Sequence, residues 1–154
     1  MAGIASGMLA PHFKLPTEEG PVTLSGLRGR KVVLYFYPAD DTETCTIEAV
    51  DFSARQPDFE RAGATILGVS PDAVSSHKRF CAKHDLRILL AADIDHAVIR
   101  RYGLWIEKSM FGRKFMGVER ATFLIDAEGR IARIWHKVRI KTHVEQVLEA
   151  ARNL

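Results

Sequence analysis

Cys45 closes the polar stretch Pro38-Ala39-Asp40-Asp41-Thr42-Glu43-Thr44-Cys45, which follows directly on the apolar run Val32-Val33-Leu34-Tyr35-Phe36-Tyr37. A strand that feeds a polar turn and then a helix delivers this cysteine to the helix's first turn. Unpaired backbone N–H groups and the positive end of the helix dipole favour thiolate over thiol there, and thiolate is the nucleophilic form. Thr42, three residues earlier, is near enough across a tight turn for its hydroxyl to reach the sulfur or an oxygen bound to it. Pro38 ends the strand and fixes the backbone entering the turn. A planar arginine fork would supply permanent charge and several donors at once. Arg120, just before the apolar run Ala121 to Ile125, is the candidate, because strand ends face the sheet rim where Cys45 is expected. The chain is built to present one activated sulfur.

Those residues need a scaffold, and 154 residues are enough for a single domain over residues 1–154 with a proper core. The pattern along the chain alternates strands and helices. Phe13 to Leu24, with Pro16 and Glu19-Gly20-Pro21, reads as a short N-terminal hairpin, and Lys31 to Tyr37 as a central strand covered on both faces. A helix follows from about Cys45 and restarts at Pro57. Ala64 to Val69 is the next buried strand; Ser70-Pro71-Asp72 then reads as the cap of a helix running to His84. Leu86 to Ala91 is a strand, Asp95 to Tyr102 a short helix stopped by Gly103, and Leu104 to Glu119 an ordered loop or irregular strand. Ala121 to Ile125 and Arg130 to Trp135 flank Asp126-Ala127-Glu128-Gly129 as a hairpin, and Thr142 to Arg152 has the spacing of an amphipathic helix. The sum is an α/β fold with a central sheet flanked by helices.

Composition narrows the function classes. With 22 basic and 19 acidic residues the net charge is only +3, too small and too dispersed for a nucleic-acid surface. No segment approaches the ~20 apolar residues that span a bilayer, and the first ten residues hold no Lys or Arg and no signal-like apolar core. The expectation is a cytoplasmic protein without membrane or nucleic-acid partners. Two cysteines, Cys45 and Cys81, permit a single internal pairing, and in a cytosolic setting such a pair reads as transient and catalytic. His77, Cys81 and His84 share a helix face, yet no carboxylate or fourth ligand accompanies them, so neither metal nor other cofactor is expected. The Cys45-Thr46-Ile47-Glu48 run lacks the second sulfur of a Cys-x-x-Cys oxidoreductase. A redox-silent binding domain would leave the thiol turn unexplained.

Pro38-x-x-x-Thr42-x-x-Cys45 resembles the peroxidatic signature of the peroxiredoxins. Tyr35-Phe36-Tyr37-Pro38 with Asp40-Asp41-Thr42 is similar to the Q-type, or bacterioferritin-comigratory, branch. The likeness continues through Glu48, Gly68-Val69-Ser70, Ser109-Met110-Phe111-Gly112, Met116 to Arg120, Thr122 to Asp126 and Trp135 to Val138. It implies a thioredoxin-like fold and thiol-dependent reduction of hydrogen peroxide or organic hydroperoxides. Cys45 would be the nucleophile, and Thr42, Arg120 and nearby N–H groups would hold the peroxide oxygens while Glu48 orients Arg120. A thioredoxin-like dithiol would be the reductant and the monomer the working unit. The chain departs from the branch at Glu43-Thr44, where Pro-Gly is common, and at Val50, where the commonest resolving cysteine stands. Some Q-type members carry that cysteine on the helix that holds Cys81, thirty-six residues after Cys45. Two readings stay open: Cys81 resolves Cys45 as a disulfide, or it is an inert core thiol and the enzyme is of the one-cysteine kind.

Overall fold

Every position of strand Lys31–Phe36 (β3) after the first is buried and apolar. In the computed structural model, which describes residues 3–154, its two faces serve different cores. Val32, Leu34 and Phe36 enter one cluster with Leu67, Tyr102, Phe123 and Ile125. Val33 and Tyr35, with Tyr37 just beyond, enter the other with Cys45, Phe52, Phe59, Phe80, Leu124 and Leu148. Side chains alternate across a strand, so a strand that is apolar at both parities must be a wall between two cores.

Around it lies a seven-stranded sheet in the order β2-β1-β5-β4-β3-β8-β9. Its strands are Lys14–Thr17 (β1), Gly20–Thr23 (β2), β3, Ala64–Ser70 (β4), Leu89–Ala92 (β5), Ala121–Ile125 (β8) and Ile131–Trp135 (β9). β3, β4 and β5 run parallel, whereas β8 is antiparallel to β3, which makes the sheet mixed. The predicted N-terminal hairpin is β1–β2, joined at the sheet edge to β5 through Thr17 and Ala91. Helices Glu43–Ala54 (α1), Gln56–Arg61 (α2), Val74–His84 (α3) and His143–Arg152 (α5) cover the Tyr35 face with Phe52, Phe59, Phe80 and Leu148. Ala97–Arg101 (α4) covers the other face with Val98 and Ile99.

The Tyr35 ring lies across β4 at Gly68. A Cβ built on Gly68 would stand 2.7 Å from Leu90 Cδ2 and 2.8 Å from Tyr35 Cζ, so only glycine fits beneath the ring. Gly68→Ala is expected to cost about 1–3 kcal/mol through overpacking; urea denaturation measures it, and an unchanged midpoint would contradict the packing.

The structure departs from the sequence reading at several boundaries and in one element. α1 begins at Glu43 rather than Cys45, with Thr42 as its N-cap, so Cys45 is its third residue. Ser70-Pro71-Asp72 does not cap α3. Ser70 ends β4, its hydroxyl donates to Asp72 Oδ2 and accepts from Asp72 N–H, and the helix opens only at Val74 behind Ala73. β5 starts at Leu89, three residues late. Leu104 to Glu119, expected as an ordered loop or irregular strand, is an antiparallel hairpin of two regular strands, Trp105–Met110 (β6) and Arg113–Val118 (β7). Its two-residue turn, Phe111-Gly112, has φ of 52° and 77°. Such turns are usually signalled by Asn, Asp or Gly at both positions, and an aromatic in the first hides the signal.

Candidate active site

β3 carries the thiol turn to the sheet rim. Tyr37 N–H still donates to Val69 O at 3.0 Å, but Pro38 has no N–H and the ladder stops. The chain turns through Asp41 at φ 57°, a conformation aspartate tolerates better than most residues, and enters α1. Thr46 N–H is the first to bond back, to Thr42 O at 2.8 Å, so the N–H groups of Glu43, Thr44 and Cys45 are not used by the helix ladder. Cys45 sits among them and is only 2% exposed.

Arg120 reaches this sulfur from the opposite side. Ala121 pairs with Phe36 across β8 and β3, which sets residue 120 beside the end of β3. The connection from β7 is pinned: Val138 N–H donates to Arg120 O at 2.9 Å, and the Glu119 carboxylate accepts from Lys137 N–H at 3.1 Å and meets His136 Nδ1 at 2.8 Å. The Arg120 fork then splits. Nη2 donates to Cys45 Sγ at 3.1 Å and Nη1 to Glu48 Oε1 at 2.7 Å. Glu48 lies three residues after Cys45, hence on the same helix face, and is fully buried. One guanidinium therefore serves two acidic groups. Burial works against its charge, but Glu48 and Cys45 outweigh burial and hold Arg120 above its ordinary range. Burial pushes the Glu48 carboxyl up to about 7, with Arg120 opposing only in part.

Thr42 stands beside the sulfur in sequence but not in hydrogen bonding: its hydroxyl donates to Ala39 O at 3.1 Å. Pro38 ends the strand, as its chemistry requires. Lys108 of β6, given no role by the sequence reading, also borders the site; burial and then the Arg120 charge lower its pKa. Beyond it the hairpin exposes Met110, Phe111, Phe115 and Met116, an apolar surface not foreseen from the sequence.

Cys81 sits on α3, packed against the core cluster that holds Cys45 but outside the hydrogen bonds of Arg120. Both cysteines are free, and Cys81 is half-buried beside a cavity of about 660 Å³ whose lining includes Glu18, His77, Leu86 and Leu90. Burial, then Glu18 and Asp40, push its thiol up to about 11. His77 and His84 do not converge with it. His77 Nδ1 faces Asp40 Oδ2 at 2.8 Å and Nε2 faces Ala91 O at 3.0 Å, while His84 Nε2 faces Asp41 Oδ1 at 2.9 Å. Asp40, Asp72 and His77 bring ligand-type atoms within 4.8 Å of one another. Those atoms are already engaged, Asp72 Oδ2 by Asp40 N–H and Ser70 Oγ, and Asp40 by Tyr37, Ser76 and His77.

A mixed sheet that presents one reduced cysteine at a helix N-terminus, gripped by a guanidinium, defines a thioredoxin-like thiol protein. The family model described as AhpC/TSA family matches residues 6–134. The chain is 42% identical to peroxiredoxin Bcp of Bacillus subtilis over 152 residues, 98% of this chain and 97% of that protein. It is 44% identical to peroxiredoxin Bcp of Xanthomonas campestris over 144 residues, 92% and 90% of the two chains. The solved structure of X. campestris peroxiredoxin Q superposes with a TM-score of 0.87 at 42% identity, covering 92% of this chain and 90% of that one. Companion structures of the X. campestris protein address its alkyl peroxide reduction, and two are single cysteine-to-serine mutants at positions thirty-six residues apart. The chain belongs to the AhpC/TSA family, in its Bcp, or peroxiredoxin Q, branch.

Proposed function

We infer that this peroxiredoxin reduces hydrogen peroxide and organic hydroperoxides with Cys45 as its nucleophile. The observation that carries the reading is the Arg120 fork, one arm on Cys45 Sγ and the other on Glu48. A permanent cation donating to sulfur stabilises its anionic form, and the unused N–H groups of α1's first turn add partial positive charge. The thiolate attacks the terminal oxygen of ROOH; the O–O bond breaks, Cys45 becomes a sulfenic acid and RO⁻ leaves to take up a proton as ROH. Charge grows on the departing oxygen as it is lost from sulfur, and Arg120 lies within reach of both. Thr42 would turn its hydroxyl from Ala39 O to the bound peroxide, Glu48 would aim the guanidinium, and Pro38 would fix the turn.

Cys81 then attacks the sulfenic sulfur, and a thioredoxin-like dithiol reduces the disulfide. The X. campestris mutants, with their equal cysteine spacing, support this assignment. In this reading the working unit is a monomer folded as one domain over residues 1–154. The small net charge argues against nucleic-acid partners. No helix among the described residues is long and apolar enough to cross a membrane, which suits a cytoplasmic enzyme. The half-buried, high-pKa thiol of Cys81 favours the second reading, a one-cysteine enzyme resolved by an external thiol.

Peroxide consumption in dithiothreitol tests the activity: the wild type turns over and Cys45→Ser does not. Turnover surviving in Cys45→Ser would refute the assignment. After one equivalent of peroxide, intact mass is expected to show wild type short of two hydrogens and Cys81→Ser bearing an added oxygen. Wild type that stops at the oxygen adduct would assign resolution to an external thiol.

A further inference from the structure

Asp40 and Asp41 stand at consecutive positions of the thiol turn, and both side chains leave it for α3. Asp40 Oδ2 accepts from Ser76 Oγ at 2.7 Å and meets His77 Nδ1 at 2.8 Å, at the helix's first turn. Tyr37 hydroxyl donates to the other oxygen at 2.6 Å, and the Asp40 N–H is itself held by Asp72 Oδ2 at 2.8 Å. Asp41 spans the far end of the same helix, with Lys83 Nζ at 2.6 Å from Oδ2 and His84 Nε2 at 2.9 Å from Oδ1. Cys81 lies between the two anchorages. The first is buried, with the Asp40 and His77 side chains 5% and 2% exposed; the second is open to solvent. His77 also reaches Ala91 O of β5, so the first turn of α3 is tied to turn and sheet together.

The geometry points to Asp40 and Asp41 as a two-point latch that holds α3, and Cys81 with it, folded against the thiol turn. Release of the latch gates formation of the Cys45–Cys81 disulfide. The gating half rests on Cys81 being the resolving thiol; the latch itself does not. Disulfide geometry requires the two Cα atoms to come within about 7 Å with their Cβ vectors aligned. With α3 folded the two cysteines stay unbonded, and local opening of the helix supplies the freedom that a half-buried cysteine in its middle needs to reach that geometry. In the gated step the S–O bond of the Cys45 sulfenic acid breaks and the S–S bond to Cys81 forms. The hydroxyl leaves with the Cys81 thiol proton as water, and Cys45 is the oxidant. A tight latch leaves the sulfenic acid exposed longer to a second peroxide, which converts it to sulfinic acid. Asp40 and Asp41 are positioning residues that act through α3 and never touch the peroxide.

The test has two arms on the full chain. In a Cys45→Ser background, the rate of Cys81 alkylation by iodoacetamide under native conditions reports opening of α3. Asp41→Asn is expected to raise it about threefold, in keeping with an exposed pair, and Asp40→Asn about tenfold or more. Should Asp40→Asn fail to fold, Asp41→Asn still decides. Unchanged alkylation in the folded variants overturns the latch. With Cys45 intact, rapid mixing with hydrogen peroxide should show sulfenic acid forming at the wild-type rate, disulfide forming faster, and less sulfinic acid at high peroxide. General loss of structure would slow the first step rather than speed the second, and that outcome overturns the latch. Faster alkylation with no disulfide even in wild type upholds the latch and refutes Cys81 as resolver.

Discussion

Arg120→Gln is expected to slow the reaction of Cys45 with hydrogen peroxide by roughly 100- to 1,000-fold while leaving the fold intact. Glutamine keeps a polar amide in the pocket but no positive charge and no two-armed fork, so the substitution removes the guanidinium while adding no new charge. The missing arm is the one on Cys45 Sγ at 3.1 Å. Without it the Cys45 sulfur loses its guanidinium donor, and in the proposed reaction the departing oxygen loses the charge that would stabilise it. Arg120→Lys should recover a minor share, because an ammonium cannot serve Glu48 and sulfur in two directions from one plane. Stopped-flow measurement of the second-order rate constant, with circular dichroism as the folding control, checks both variants. A loss smaller than tenfold in Arg120→Gln would remove the guanidinium from the chemistry.

Glu48→Gln should flatten the pH dependence of stability. Burial raises the folded-state carboxyl from 4.5 to about 7, so between those values the folded protein keeps a proton that the unfolded chain releases. Stability therefore falls as pH rises through this window, the reverse of an ordinary salt-bridged carboxylate. At about 1.4 kcal/mol per pH unit, the wild type should lose roughly 3 kcal/mol from this group between pH 4 and pH 8. Glutamine has no proton to lose and still accepts from Arg120. Urea denaturation at the two pH values gives the slope, and a glutamine variant that retains the wild-type slope would contradict the burial account.

Much of this was legible in the chain because local chemistry and tertiary demand agree. Val32 to Tyr37 is apolar at both parities, and only a strand with a core on each side requires that. Pro38, the polar turn and Cys45 announce a thiol at a helix mouth, although the helix opens two residues earlier than the cysteine suggests. What stayed hidden depends on contacts between distant segments. Ser70-Pro71-Asp72 has the composition of a helix cap, but the Ser70 hydroxyl is taken by Asp72, and Asp72 in turn holds the Asp40 N–H. The β6–β7 hairpin escaped because Phe111 occupies a left-handed turn position where aromatics carry no signal. From the sequence His77 only shares a helix face with Cys81 and His84, and nothing within α3 reveals that its partners are Asp40, thirty-seven positions earlier, and Ala91 O. Glu48 could have been a solvated helix residue; only the arrival of Arg120 from seventy-two positions away explains its burial.

The most direct test follows the fully reduced protein after it is mixed with a substoichiometric amount of hydrogen peroxide, quenched within milliseconds and mapped by peptide mass. The first oxygen is expected on Cys45, at a rate several orders of magnitude above that of a free thiol, with Cys81 and the methionines untouched. Oxygen arriving first on Cys81, or on Cys45 no faster than on a small-molecule thiol, would contradict the claim that Arg120 and the mouth of α1 activate this sulfur.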